Sequence, residues 1–111
     1  MNYKIVSTHT FERELKRLAK KHRSIKTDVL KLGEQLEKTP ILGDEVIQNC
    51  YKIRMTITSK NKGKSGGARV ITYVYVALET VFLLSIYDKG EQEDISSHEL
   101  KELIESLGLD E

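Results

Sequence analysis

Six basic residues, Lys52, Arg54, Lys60, Lys62, Lys64 and Arg69, stand between positions 46 and 78 with no acidic residue among them. Arginine can hold a phosphate through two parallel hydrogen bonds, and lysine supplies a point charge. A local cluster of both points to a phosphate polymer, whatever the net charge of the chain. Tyr73, Tyr75 and Tyr87 offer planes on which unpaired bases stack, which favours single-stranded RNA over duplex DNA. Lys89 follows Tyr87 by two positions and completes the set. Metal-independent RNA cleavage needs charge stabilisation at the phosphoryl oxygens, a base for the 2′-hydroxyl and an acid for the departing 5′-oxygen. Arg54 and Arg69 suit the first task. Lys89 or a loop lysine could be the base if neighbouring cations lower its pKa, and Tyr87 could orient the nucleophile or give the proton. Lys52, Lys60, Lys62 and Lys64 would bind the RNA. A plainer account stays open, in which the tyrosines only pack in strands and the arginines pair with the C-terminal segment. That segment carries nine acids from Asp88 onward against Lys89 and Lys101.

Other chemistries fit less well. Gly63-Lys64-Ser65 looks like the end of a phosphate loop, but Thr58 stands where that motif needs its first glycine, and a strand rather than a helix follows. No His, Cys, Asp and Glu residues fall at metal-ligand spacing, so no cofactor or metal is expected. His9, His22 and His98 lie in helical or capping segments and are expected at the surface. Cys50 stands alone, so it forms no internal disulfide and reads as a buried thiol. The chain lacks an 18-residue apolar run and a signal-like N-terminus, which predicts a cytoplasmic protein with no membrane contact.

These residues need a scaffold. Residues 2–7 read as a strand, and Thr8 or Thr10 can cap a helix that buries Phe11, Leu15, Leu18 and Ala19. A second helix follows Ser24 with Ile25, Val29, Leu32 and Leu36 on one face. Pro40 stops it near Thr39, and Leu42-Gly43-Asp44 reads as a turn. Residues 51–58 alternate as a half-buried strand, residues 59–67 form a basic loop, and residues 68–76 and 81–87 form a hairpin. Ser96 and Glu99 make a capping box for a last amphipathic helix carrying Leu100, Leu103, Ile104 and Leu107, ended by Gly108. The order β-α-α-β-β-β-α predicts a two-layer α+β domain whose helices cover one face of the sheet.

Strand alternation then assigns faces. Tyr51, Ile53, Met55 and Ile57 should meet the helices, leaving Lys52 and Arg54 on the open side. Arg69 belongs with them, because an unpartnered arginine is costly in a core. In the last strand Phe82, Leu84 and Ile86 are the most apolar set, so Leu83, Ser85, Tyr87 and Lys89 are placed on the open face. A bulge would break this count.

Three ordered segments carry a resemblance: Tyr51-Lys52-Ile53-Arg54, then Ser59-Lys60 through Gly63-Lys64-Ser65-Gly66-Gly67-Ala68-Arg69-Val70-Ile71, then Ile86-Tyr87-Asp88-Lys89. Together with the two N-terminal helices and the turn around Thr39-Pro40 and Gly43, they resemble the RelE/ParE toxin superfamily over nearly the whole chain. They are most similar to its HigB-like branch, whose pattern is "GK-x-GG-x-R-[VI]-I" followed by "Y-x-K". The resemblance implies one α+β toxin domain over residues 1–111, mostly antiparallel. It also implies an mRNA endonuclease acting in the ribosomal A site and held inactive by an antitoxin, often of helix-turn-helix type. Carried over by position, it points to Arg54, Lys60, Lys62, Lys64, Arg69, Tyr87 and Lys89. ParE-like relatives poison DNA gyrase instead, and a catalytically weak RNA- or ribosome-binding module is the other alternative.

Overall fold

The computed structural model describes residues 2–60, 63 and 66–109. Thr8 is the cap of the first helix: its hydroxyl accepts the Phe11 N–H at 3.1 Å and donates to the Leu83 carbonyl at 3.0 Å. One side chain thus satisfies a helix-start donor and ties strand β1 (Lys4–Ser7) and helix α1 (His9–Ala19) to the sheet. Helix α2 (Ile25–Lys38) ends one residue before Thr39-Pro40, as a proline demands of its predecessor. Strands β2 (Asp44–Ile47), β3 (Cys50–Met55), β4 (Ala68–Tyr75) and β5 (Thr80–Asp88) follow, then helix α3 (Ser97–Glu105). Ser96 caps α3, accepting the Glu99 N–H at 3.1 Å. The sheet order is β1-β5-β4-β3-β2, with β1 parallel to β5 and every other neighbour antiparallel.

Phe11, Leu15 and Leu18 of α1 and Ile25, Val29, Leu32 and Leu36 of α2 bury one face of this sheet against Ile53, Met55, Val70, Val74, Val81, Leu83 and Ile86. Each such fully buried side chain contributes roughly 1.5–3 kcal/mol relative to exposure. The opposite face is not open as expected. Cys50, Ile71, Tyr73, Leu84 and Tyr87 form a second apolar cluster there, and Leu100, Leu103 and Ile104 of α3 pack on it together with Leu107 just past the helix end. The central strand β4 is therefore covered on both sides, which accounts for apolar residues at both of its parities.

Three further expectations are corrected. The segment read as a turn at Leu42-Gly43-Asp44 leads into an edge strand, β2. Gly43 is required there, since its φ is +86° and a Cβ would stand 2.3 Å from the Lys52 carbonyl oxygen. The strand read over residues 51–58 ends at Met55 and gives way to a 3₁₀ turn at Thr58–Lys60. In β5 the parity slips: Ile71 faces Ser85 but Thr72 faces Leu83, so Leu84 is an extra residue in its strand. Val81 and Leu83 consequently join Ile86 in the α1/α2 core, whereas Phe82 and Leu84 lie with Tyr87 under α3. Ser85, placed on the open face by counting, instead donates its hydroxyl to Glu14 of α1 at 2.8 Å, and the same carboxylate oxygen takes the Ile86 N–H at 3.1 Å. A carboxylate from the helix thus satisfies backbone that the bulge takes out of the ladder.

Candidate RNA-cleaving site

Cross-strand register builds the site. Arg54 of β3 stands directly opposite Arg69 of β4, and Arg69 directly opposite Tyr87 of β5. The three side chains form a row across three adjacent strands, spanning about 10 Å at the usual strand spacing. The row lies on the α3 side of the sheet, because Ile53, Met55, Ala68, Val70 and Ile86 all point to the α1/α2 core. Lys52, two residues before Arg54, extends beyond the row on the same face, and Lys89, just past the end of β5, comes near it beside Asp94.

The row is graded in exposure. Arg54 is exposed, whereas Arg69 is 6% and Tyr87 2% accessible. The Arg69 guanidinium donates to its neighbour's carbonyl, Ala68 O, at 3.2 Å. The Tyr87 hydroxyl is buried and has no hydrogen-bond partner of ordinary geometry among the described residues. Burial makes it a weaker acid, the nearby Asp94 carboxylate weakens it further, and Arg69 opposes both. A phenol held this way keeps its proton near neutral pH and is fitted to give a proton or a hydrogen bond, not to act as base.

Residues 90–96 lie across the same face. Lys52 Nζ meets Asp94 Oδ1 at 3.0 Å, and Lys89 Nζ donates to the Glu93 carbonyl at 2.9 Å. The Asp94 carboxyl is lowered from its ordinary value by the Ile95 N–H and then by Lys52. In place of the crowd of cations expected around Lys89 stands an acidic neighbour, Asp94, whose ionised form the Lys89 charge favours. The acidic segment from Asp88 onward was the sequence signal for this contact, read there as a partner for the arginines, whereas its Asp94 meets Lys52.

Lys60 is not brought to the row. Its ammonium pairs with Asp88 at 2.8 Å, in a cluster where Asp88 also takes His22 Nε2 at 2.9 Å and the Gly90 N–H at 2.9 Å. His22, expected at the surface, has a side chain only 11% exposed. His9 and His98 are exposed as expected. Lys62 and Lys64 lie outside the described residues. Cys50 is fully buried, and burial pushes its thiol up to about 11, which leaves it un-ionised and inert as a nucleophile. Among the described residues, no group of three or more His, Cys, Asp or Glu could hold a metal ion, and no helix is long and apolar enough to cross a membrane.

Burial alone would raise the pKa of Asp88, but its bonds from Lys60, Gly90 and His22, with the Lys60 charge, lower it from 3.8 to about 2. A depressed carboxylate stabilises the fold fully above its unfolded value and loses that contribution as pH falls toward the folded one. Between pH 4 and 2 the wild type should therefore lose on the order of 2 kcal/mol through this group alone. Urea midpoints across that range check it. The Asp88→Asn variant should start lower at pH 6 and fall less steeply; equal slopes in both proteins would show that Asp88 is not the group responsible.

The family model for the RelE toxin of the RelE/RelB toxin–antitoxin system matches residues 3–107. The chain belongs to the RelE toxin family. Solved structures share the fold. An arginine double mutant of the Escherichia coli toxin RelE in the free state aligns with a TM-score of 0.64 at 18% identity, covering 96% of this chain and 98% of that one. The toxin–antitoxin complex RelBE2 from Mycobacterium tuberculosis aligns at 0.60 and 18% identity, over 79% of this chain and 99% of its counterpart. Isolated E. coli RelE aligns at 0.55 and 19% identity, over 95% and 98%. This chain is thus a RelE-like toxin of a toxin–antitoxin system, with a five-stranded sheet and three helices arranged as in RelE.

Proposed function

We propose that this toxin is a ribosome-dependent mRNA endonuclease of the HigB-like, RelE-type kind, neutralised by a cognate antitoxin protein. The observation that carries the reading is the cross-strand row Arg54–Arg69–Tyr87, flanked by Lys52 and Lys89. In the cleavage step the 2′-hydroxyl attacks the adjacent phosphorus, a cyclic phosphate forms, and the 5′-oxygen leaves. Arg54 and Arg69 hold the phosphoryl oxygens and stabilise the added charge. Tyr87, whose proton is retained, donates to the leaving oxygen. Lys89 or a lysine of the loop over residues 59–67 takes the proton from the 2′-hydroxyl. Lys52 exchanges the Asp94 carboxylate for a phosphate. The site is sparse because the ribosomal A site orients the mRNA, and orientation alone can contribute several powers of ten in rate. The relative seen in a toxin–antitoxin complex supports an antitoxin partner here too, whether of helix-turn-helix type or not.

The test is induced expression of the wild type and of Tyr87→Phe, with mRNA 5′ ends mapped in each. Phenylalanine keeps the packed ring and removes a buried hydroxyl lacking an ordinary partner, so the fold should be at least as stable. Cleavage should fall by about 10²–10⁴-fold, as for loss of a general acid. Growth arrest without mRNA fragments in the wild type would overturn the reading, and so would full cleavage by the variant.

A further inference from the structure

We infer that the groove between α2 and the outer edge of β3 is a second RNA-binding subsite, in which Lys31 holds a backbone phosphate of a nucleotide flanking the cleaved bond. The inference rests on the reading of the row as an RNA site and concerns how a strand reaches it. Two of its three members are closed off by α3 and residues 90–96, at 6% and 2% exposure for Arg69 and Tyr87. Arg54 is the exposed one, and it stands at the β3 end of the row. There the sheet stops: β2 pairs with β3 only as far as Lys52, so from Ile53 to Met55 the outer edge of β3 has no strand beside it among the described residues. A groove of about 710 Å³ fills that position, and Lys52 and Arg54 line it along with Lys31 and Gln35 of α2. The site already described and this groove therefore share two cations and form one continuous basic path around the sheet edge.

The chemistry of the lining favours a polyanion. Lys31 and Arg54 form no ion pair among the described residues. Of the two carboxylates present, Asp28 is spent on Ser24 and on the N–H and hydroxyl of Thr58, at 2.6–3.0 Å, leaving Asp44 as the only one facing the groove uncommitted to such a latch. Gln35 and Thr56 add neutral donors and acceptors that suit sugar and base edges. The volume lies in the range of sites that enclose a nucleotide-sized group. Sequence reading passed over Lys31 because it sits on a helix, twenty-one residues before the basic strands, and only folding brings it beside them.

The experiment measures anisotropy of a fluorescein-labelled single-stranded oligoribonucleotide across a salt series, with mRNA cleavage on ribosomes in parallel. The proteins are wild type, Lys31→Ala, and Lys101→Ala as a control on the exposed side of α3. Removing one phosphate contact should weaken binding and reduce the slope of log affinity against log salt by about 0.7. On ribosomes Lys31→Ala should raise KM and leave kcat in place, with Lys101→Ala matching wild type in both assays. An unchanged slope and KM for Lys31→Ala would overturn the inference. So would a Lys31→Ala protein that binds RNA normally but loses affinity for the antitoxin, since the groove would then belong to a protein partner. If the wild type binds RNA with the expected Lys31 dependence and cuts none, the subsite stands and the nuclease reading falls.

Discussion

Arg54→Ala is expected to lower ribosome-dependent cleavage by about 10²–10³-fold, the cost of removing one preorganised donor from the charge that develops on phosphorus. The expectation is sharper here than for Arg69, which stands beside it in the row. Arg69 is buried between β3 and β5, and its loss would leave a void as well as a missing charge. Arg54 is exposed and forms no ion pair among the described residues. Truncating it removes little packing, and surface changes of this kind usually stay within about 0.5 kcal/mol. Melting curves should therefore overlay while the rate collapses. A lysine at position 54 keeps the charge and gives up the two-pronged geometry, so Arg54→Lys should recover only part of the activity. Wild-type rates in Arg54→Ala would remove this residue from the chemistry; a parallel fall in melting temperature would make it structural.

The largest stability loss is expected at Asp28, far from the row. Its side chain, in the first turn of α2, accepts from the Thr58 hydroxyl at 2.6 Å, the Thr58 N–H at 3.0 Å and the Ser24 hydroxyl at 2.9 Å. Ser24 and Ser59 close a second link beside it, with the Ser59 N–H donating to Ser24 Oγ at 2.8 Å. The carboxylate thus latches the start of α2 to the 3₁₀ turn where β3 ends, and it also meets the positive end of the helix. Asp28→Ala strands these donors in a mostly buried place. Bonds to a charged acceptor are worth about 1.5–3 kcal/mol each, though not additively. A net loss of about 3–4 kcal/mol follows, or a melting temperature lower by roughly 12–20 °C. Thermal unfolding of Asp28→Ala, Thr58→Val and the double variant measures it. The double variant should lose much less than the sum of the two; full additivity would mean that the two side chains do not act together.

The placement of Lys52, Arg54, Arg69 and Tyr87 on one face was legible in the sequence, because alternation in β3 and β4 is regular and a strand has only two sides. The third strand was misread above Ser85, since a bulge adds one residue and reverses every face beyond it without any fixed residue signature. The helices were legible through the spacing of Phe11, Leu15 and Leu18 and of Ile25, Val29, Leu32 and Leu36. Where α3 packs was not. Periodicity identifies the apolar stripe of a helix but says nothing about which surface receives it. The clue was in β4, where Val70 and Val74 on one side and Ile71 and Tyr73 on the other demand cover from both directions. Contacts such as Lys52 with Asp94, Lys60 with Asp88 and Ser85 with Glu14 join residues 28 to 71 positions apart. A chain read from one end to the other offers no local pattern for such pairs.

The parallel pairing of β1 with β5 sets a condition on how this toxin is made. Among the described residues, Lys4 to Ser7 find their only strand partner in Thr80 to Leu83, so β1 is made well before the strand it pairs with. A truncated or unfinished chain has no neighbour for β1 and cannot close the layer that carries Tyr87. Loop closure over such a span is slow compared with helix formation. The row across β3, β4 and β5 is therefore complete only once β5 has been produced, and an antitoxin has that interval in which to be present.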